Sequence, residues 1–164
     1  METLPDFWRT EVFHPLSVHF PIALFFIALL FKSMALFSKK ETFSLGGSIL
    51  LVLGVMGSWV AIYTGDLADG VVARTLCDPT ILKDHENYAY TTAWIFTAAA
   101  ILDFISYFFS LQLGSLVLWI KRLTLILLLI GNGFLMYVGH LGATLVYQQA
   151  AGVYVPTEDC QEFE

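Results

Sequence analysis

Four histidines are the residues of this chain best suited to chemistry: His14, His19, His85 and His140. A neutral imidazole binds haem iron axially and suits copper or zinc as well. No C-x-x-C-H haem-attachment motif accompanies them, so a covalently linked haem is not expected. The sequence also lacks a serine–histidine–acid arrangement, a phosphate loop and a metalloprotease motif, which argues against hydrolysis. What the histidines can do therefore depends on the elements that position them.

Those elements are transmembrane helices. Of the 164 residues 57% are hydrophobic and only 13% charged, which leaves a soluble surface short of charge. Long apolar runs cover residues 16–37, 45–64, 88–110 and 116–147. The last is interrupted by Lys121 and Arg122, so its membrane core is expected over 123–147. Each run reaches the roughly 20 residues needed to cross the hydrocarbon, and a helix satisfies its own backbone polar groups there. The expectation is one all-α domain, an integral membrane four-helix bundle over 16–147. An N-terminal segment 1–15, a loop 65–87 and a tail 148–164 flank it. Glu2, Asp6 and Glu11 against Arg9 speak against a cleavable signal peptide.

Charge sets the orientation. Lys39, Lys40, Lys121 and Arg122 lie on one side with Glu41, whereas twelve of the fourteen acids lie on the other with Arg9, Arg74 and Lys83. Lys/Arg bias places the first side in the cytoplasm of a bacterial inner membrane, with both termini and the loop 65–87 outside. Cys77 and Cys160 then share an oxidising compartment, where a disulfide between them is expected. The formal charge of −6 argues against nucleic acid as a partner.

Helix counting gives the histidines a depth. His19 lies eighteen residues before Phe37 and His140 seventeen after Leu123, about 27 and 26 Å from the cytoplasmic boundary at 1.5 Å per residue. His14 and His85 fall slightly farther out, in the interfacial layer where polar imidazoles sit readily. His19 and His140 are thus expected as the axial ligands of a haem b near the outer face. His14 and His85 would hold a second haem or contact propionates. Arg9, Arg74 and Lys83 are on the side that propionates need. The alternatives are a copper or zinc site on the same four histidines, and a cofactor-free subunit that docks exported redox proteins through its acidic outer face.

Three further features bear on the interior. Lys32 and Asp103 lie at similar depth, which suggests an interhelical ion pair, or Lys32 snorkelling to the headgroups while Asp103 is protonated; one acid alone makes no proton relay. Gly131-Asn132-Gly133, Gly54-x-x-x-Ser58 and Gly57-x-x-x-Ala61 are small-residue surfaces that pack helices or clear room for a macrocycle. Trp8, Trp94 and Trp119 suit the interfacial belts, and Trp59 and Tyr63 could wall a cofactor.

His14-Pro15-Leu16-Ser17-Val18-His19-Phe20-Pro21-Ile22-Ala23 resembles the opening motif of the bacterial membrane proteins called domain of unknown function 2231. Gly139-His140-Leu141-Gly142-Ala143-Thr144-Leu145-Val146-Tyr147, followed by Gly152-Val153, resembles that family's closing motif, with Ala143 in place of a usual glycine. Tyr63-Thr64-Gly65 and the His85 region match its weaker middle. Members of the family occur alone and as the membrane part of larger proteins bearing cytochrome c-like or iron–sulfur domains. The resemblance therefore implies a non-catalytic electron-transfer subunit of a respiratory or redox complex, surrounded by lipid and serving a cytochrome c-like periplasmic carrier.

Overall fold

The computed structural model describes residues 8–38 and 40–153. A short 3-10 turn, Thr10–Val12, leads into α1 (Phe13–Phe37), followed by α2 (Glu41–Val72), α3 (Pro79–Phe108), the single turn α4 (Ser110–Leu113) and α5 (Leu116–Gln149). No strand occurs among the described residues. Four helices, α1, α2, α3 and α5, are long and apolar enough to cross a membrane.

The helices outrun the apolar segments. Residues 65–87, expected as a loop, are helical apart from a short connection over 73–78. Asp78 caps α3 by accepting the Thr80 amide at 3.0 Å and its hydroxyl at 2.6 Å, and Pro79 follows where a helix needs no N–H. Hydropathy marks where lipid ends, whereas caps mark where a helix ends. Cys77 lies exposed in this connection. Its expected partner Cys160 is outside the described residues.

α1 packs most extensively on α2, and α3 on α5, so the bundle is two hairpins set side by side. The hairpins repeat one register. His85 follows His14 by 71 residues, as Phe96 follows Phe25, Ala99 follows Ala28 and Asp103 follows Lys32. In the second helices the shift is 77: Leu128 follows Leu51, Gly131 follows Gly54, Val138 follows Ala61 and Gly142 follows Gly65. All of these residues but the two histidines, Gly65 and Gly142 are buried, and Phe25, Phe96, Ala28, Ala99, Leu51 and Leu128 wholly so. His14 and Lys32 are eighteen residues apart, which is five helical turns, so they share one face of α1; His85 and Asp103 share one face of α3 in the same way.

Equivalent residues consequently meet where the hairpins face each other. His14 and His85 meet at one end, the Phe25 and Phe96 rings stack with centroids 3.5 Å apart in the middle, and Lys32 pairs with Asp103 at the other end. Lipid tails supply no hydrophobic drive between helices, so close packing must hold the hairpins together. Glycine makes the central stack possible. A Cβ on Gly54 would lie 2.7 Å from Phe25, and one on Gly131 would lie 2.8 Å from Phe96. Gly54→Ala and Gly131→Ala should each lower stability by about 1–3 kcal/mol through overpacking, measured by thermal unfolding in mild detergent. Gly133, where an added Cβ would meet nothing within 4 Å, is the control: Gly133→Ala should be neutral or stabilising.

Candidate functional site

The histidine end is assembled one hairpin at a time. In the first, the His14 ring crosses from α1 to α2 and its Nδ1 lies 2.9 Å from the Ala61 carbonyl. In the second, His85 crosses from α3 to α5 and its Nδ1 lies 3.0 Å from the Val138 carbonyl. A carbonyl can only accept, so each Nδ1 donates its proton and each neutral ring keeps Nε2 unprotonated. One turn beyond each accepting carbonyl stands the glycine that admits the ring. A Cβ on Gly65 would lie 3.1 Å from His14 Nδ1, and one on Gly142 would lie 3.2 Å from His85 Cε1.

The two rings then face each other across the hairpins, with centroids 6.0 Å apart and planes at 87°. Both are half-buried. Ser17 braces the α1–α2 side through a 2.9 Å hydrogen bond with the Thr64 hydroxyl, and Thr64 also donates to the Ala61 carbonyl at 3.0 Å. Among the described residues no group of three or more His, Cys, Asp or Glu side chains gathers closely enough to hold a bare metal ion.

His19 and His140, singled out by their depth, are both exposed. His19 returns its Nδ1–H to the Pro15 carbonyl of its own helix at 2.5 Å. His140 sits two residues beyond Val138 but on another side of α5. Depth matches them, but rotation about the helix separates them. Five residues turn His19 about 140° away from His14 at 100° per residue. Of the four histidines the structure brings His14 and His85 together. The two histidines expected as interfacial companions are thus the half-buried pair at the hairpin interface.

The cations expected near propionates differ in availability. Arg9 lies 3.4 Å from Glu11, and its Nε is buried with no partner among the described residues. Arg74 is exposed, and Lys83 is engaged with Glu86 at 2.6 Å. Of the residues expected to wall a cofactor, Trp59 donates to the Thr97 hydroxyl at 3.2 Å and packs edge-on against Trp94, while Tyr63 is exposed.

At the opposite end Lys32 and Asp103 form an ion pair at 2.5 Å with 8% and 6% of their surfaces exposed. The Lys32 ammonium also donates to the Ser44 carbonyl at 3.1 Å and to Ser48 Oγ at 2.7 Å, so its three protons all have partners. Lys32 therefore does not snorkel to the headgroups. Asn132, mid-helix in α5, donates to the Leu128 carbonyl and leaves its buried Oδ1 without a partner among the described residues. Sequence reading misses the repeat that organises the His14–His85, Phe25–Phe96 and Lys32–Asp103 pairs.

A family described as "Predicted membrane protein (DUF2231)" matches residues 11–154, nearly the whole bundle together with both histidine-bearing motifs. No curated protein and no solved structure matches the chain. The chain belongs to the DUF2231 family of membrane proteins.

Proposed function

We propose that this protein is a b-type cytochrome-like electron-transfer subunit that holds one haem b axially between His14 and His85. The facing pair of imidazoles supports this reading most strongly. With a metal–imidazole bond of about 2.0 Å, two rings on opposite sides of one iron have centroids roughly 6 Å apart. The centroids here are 6.0 Å apart. Two protein ligands suffice for an iron that brings four porphyrin nitrogens, whereas structural zinc takes four ligands from protein.

The hydrogen bonds to Ala61 and Val138 fix each ring's rotation and make Nε2 the more basic ligand. Gly65 and Gly142 keep backbone close to the rings. The unpartnered Arg9 Nε at this end suits a propionate oxygen. When bound, the haem supplies a one-electron couple. Charge bias turns the histidine end toward the periplasm. The acids there would meet a basic, cytochrome c-like carrier by complementary charge. The subunit itself would perform no catalysis.

Protein purified with its cofactors intact should show a reduced-minus-oxidised spectrum of a b-type cytochrome and one haem per chain by pyridine haemochrome. A preparation without a Soret band, or one holding copper without porphyrin, would refute the reading.

A further inference from the structure

The lysine end holds two cavities that meet. One, of about 390 Å³, carries many polar and charged groups: Ser44, Tyr107, Ser110, Lys40 and Lys121 line it, and the Lys32–Asp103 pair lies in its wall. The other, of about 320 Å³, is an apolar groove between α2 and α3, lined by Ile49, Val52, Leu53, Ala100, Phe104 and Phe108. Ser48, Asp103 and Tyr107 belong to both, so the polar chamber adjoins the apolar groove along a shared wall.

We propose that these adjoining cavities bind one anionic phospholipid, with its phosphate in the polar chamber and one acyl chain in the groove. Charge complementarity argues for the headgroup. Lys32 and Asp103 neutralise each other, which leaves Lys40 and Lys121 against Glu41 and a net positive chamber. α2 also begins at this chamber, and its N-cap residue Lys40 makes no side-chain cap. The first N–H groups of a helix favour an anion.

Apolar length argues for the chain. From Leu45 to Leu53 the groove follows eight residues of α2, about 12 Å at 1.5 Å per residue. That is close to the roughly 15 Å thickness of one hydrocarbon leaflet. Val52 and Phe104 are well exposed along it, so the groove opens to lipid. A free anion would leave the groove empty, and a neutral lipid would leave Lys40 and Lys121 without a partner.

Native mass spectrometry of the delipidated full chain tests this, with titrations of phosphatidylglycerol, phosphatidylcholine and inorganic phosphate. A lysine beside an anionic headgroup favours binding by a factor of about five, so two favour phosphatidylglycerol by about thirtyfold over phosphatidylcholine. K40Q/K121Q should erase that preference while retaining weak binding of both lipids. V52W, at an exposed position, should fill the groove and weaken both lipids without unfolding the bundle. Equal binding of the two lipids by the unaltered chain would overturn the proposal, as would a preference that survives K40Q/K121Q. Binding of inorganic phosphate as tightly as phosphatidylglycerol, together with V52W binding both lipids normally, would overturn it in favour of a free anion.

Discussion

If the protein holds haem as proposed, His14→Ala and His85→Ala should each abolish its haem complement, whereas His19→Ala and His140→Ala should retain it. This is the expected result with the largest effect. Changes in groups that only orient a ligand already lower metal affinity about 10–100-fold, and loss of an axial ligand exceeds that. His14 and His85 are the only two histidines that face one another among the described residues, whereas His19 bonds its own helix and His140 is exposed. Absorbance at the Soret maximum per protein, read on all four variants, checks it. Equal losses at all four positions would point to a broader or second site. Loss only at His19 and His140 would restore the pairing that depth alone suggests.

The second large effect lies at the other end. Lys32→Met strands the Asp103 carboxylate among buried atoms, and Asp103→Leu strands the Lys32 ammonium, each costing about 3–5 kcal/mol. The double variant Lys32→Met/Asp103→Leu should recover most of that loss, because a buried ion pair replaced by apolar side chains of similar size is often neutral or stabilising. Thermal unfolding of the three variants in detergent gives the cycle. Additive single losses would mean that Lys32 acts through Ser44 and Ser48 rather than through Asp103.

Both predictions concern positions related by the repeat, and the repeat shows what can be read from the sequence. The four spans are legible because lipid demands about 20 apolar residues per helix. The Lys32–Asp103 proximity is legible because a charge within a span needs a partner. The repeat is harder to see, since lipid accepts any apolar side chain on the outer faces and little there demands identity. Identity persists on the inner face: His14 and His85, Phe25 and Phe96, Ala28 and Ala99, Leu51 and Leu128, Gly54 and Gly131, Gly65 and Gly142. Laying residues 14–32 over 85–103 and 47–65 over 124–142 without gaps exposes those matches and pairs His14 with His85. Two things hide that pairing. Depth ranks residues along a helix but says nothing of their rotation, and hydropathy alone puts His85 in a loop even though Asp78 and Pro79 signal a helix start.

The repeat also explains why one end differs from the other. At the histidine end the equivalent positions keep the same residue and can share one central ligand. At the lysine end they carry opposite charges and satisfy each other. A single interface thus yields a facing histidine pair at one end and a locked ion pair at the other, with the Phe25–Phe96 stack between them.

Electron paramagnetic resonance of the oxidised protein tests the central pairing most directly. The His14 and His85 ring planes cross at 87°; were both to hold a haem iron, that crossing would give a strongly anisotropic low-spin ferric signal. That signal is expected at one spin per chain. A high-spin five-coordinate signal, or none from protein purified with its cofactors intact, would contradict the pairing.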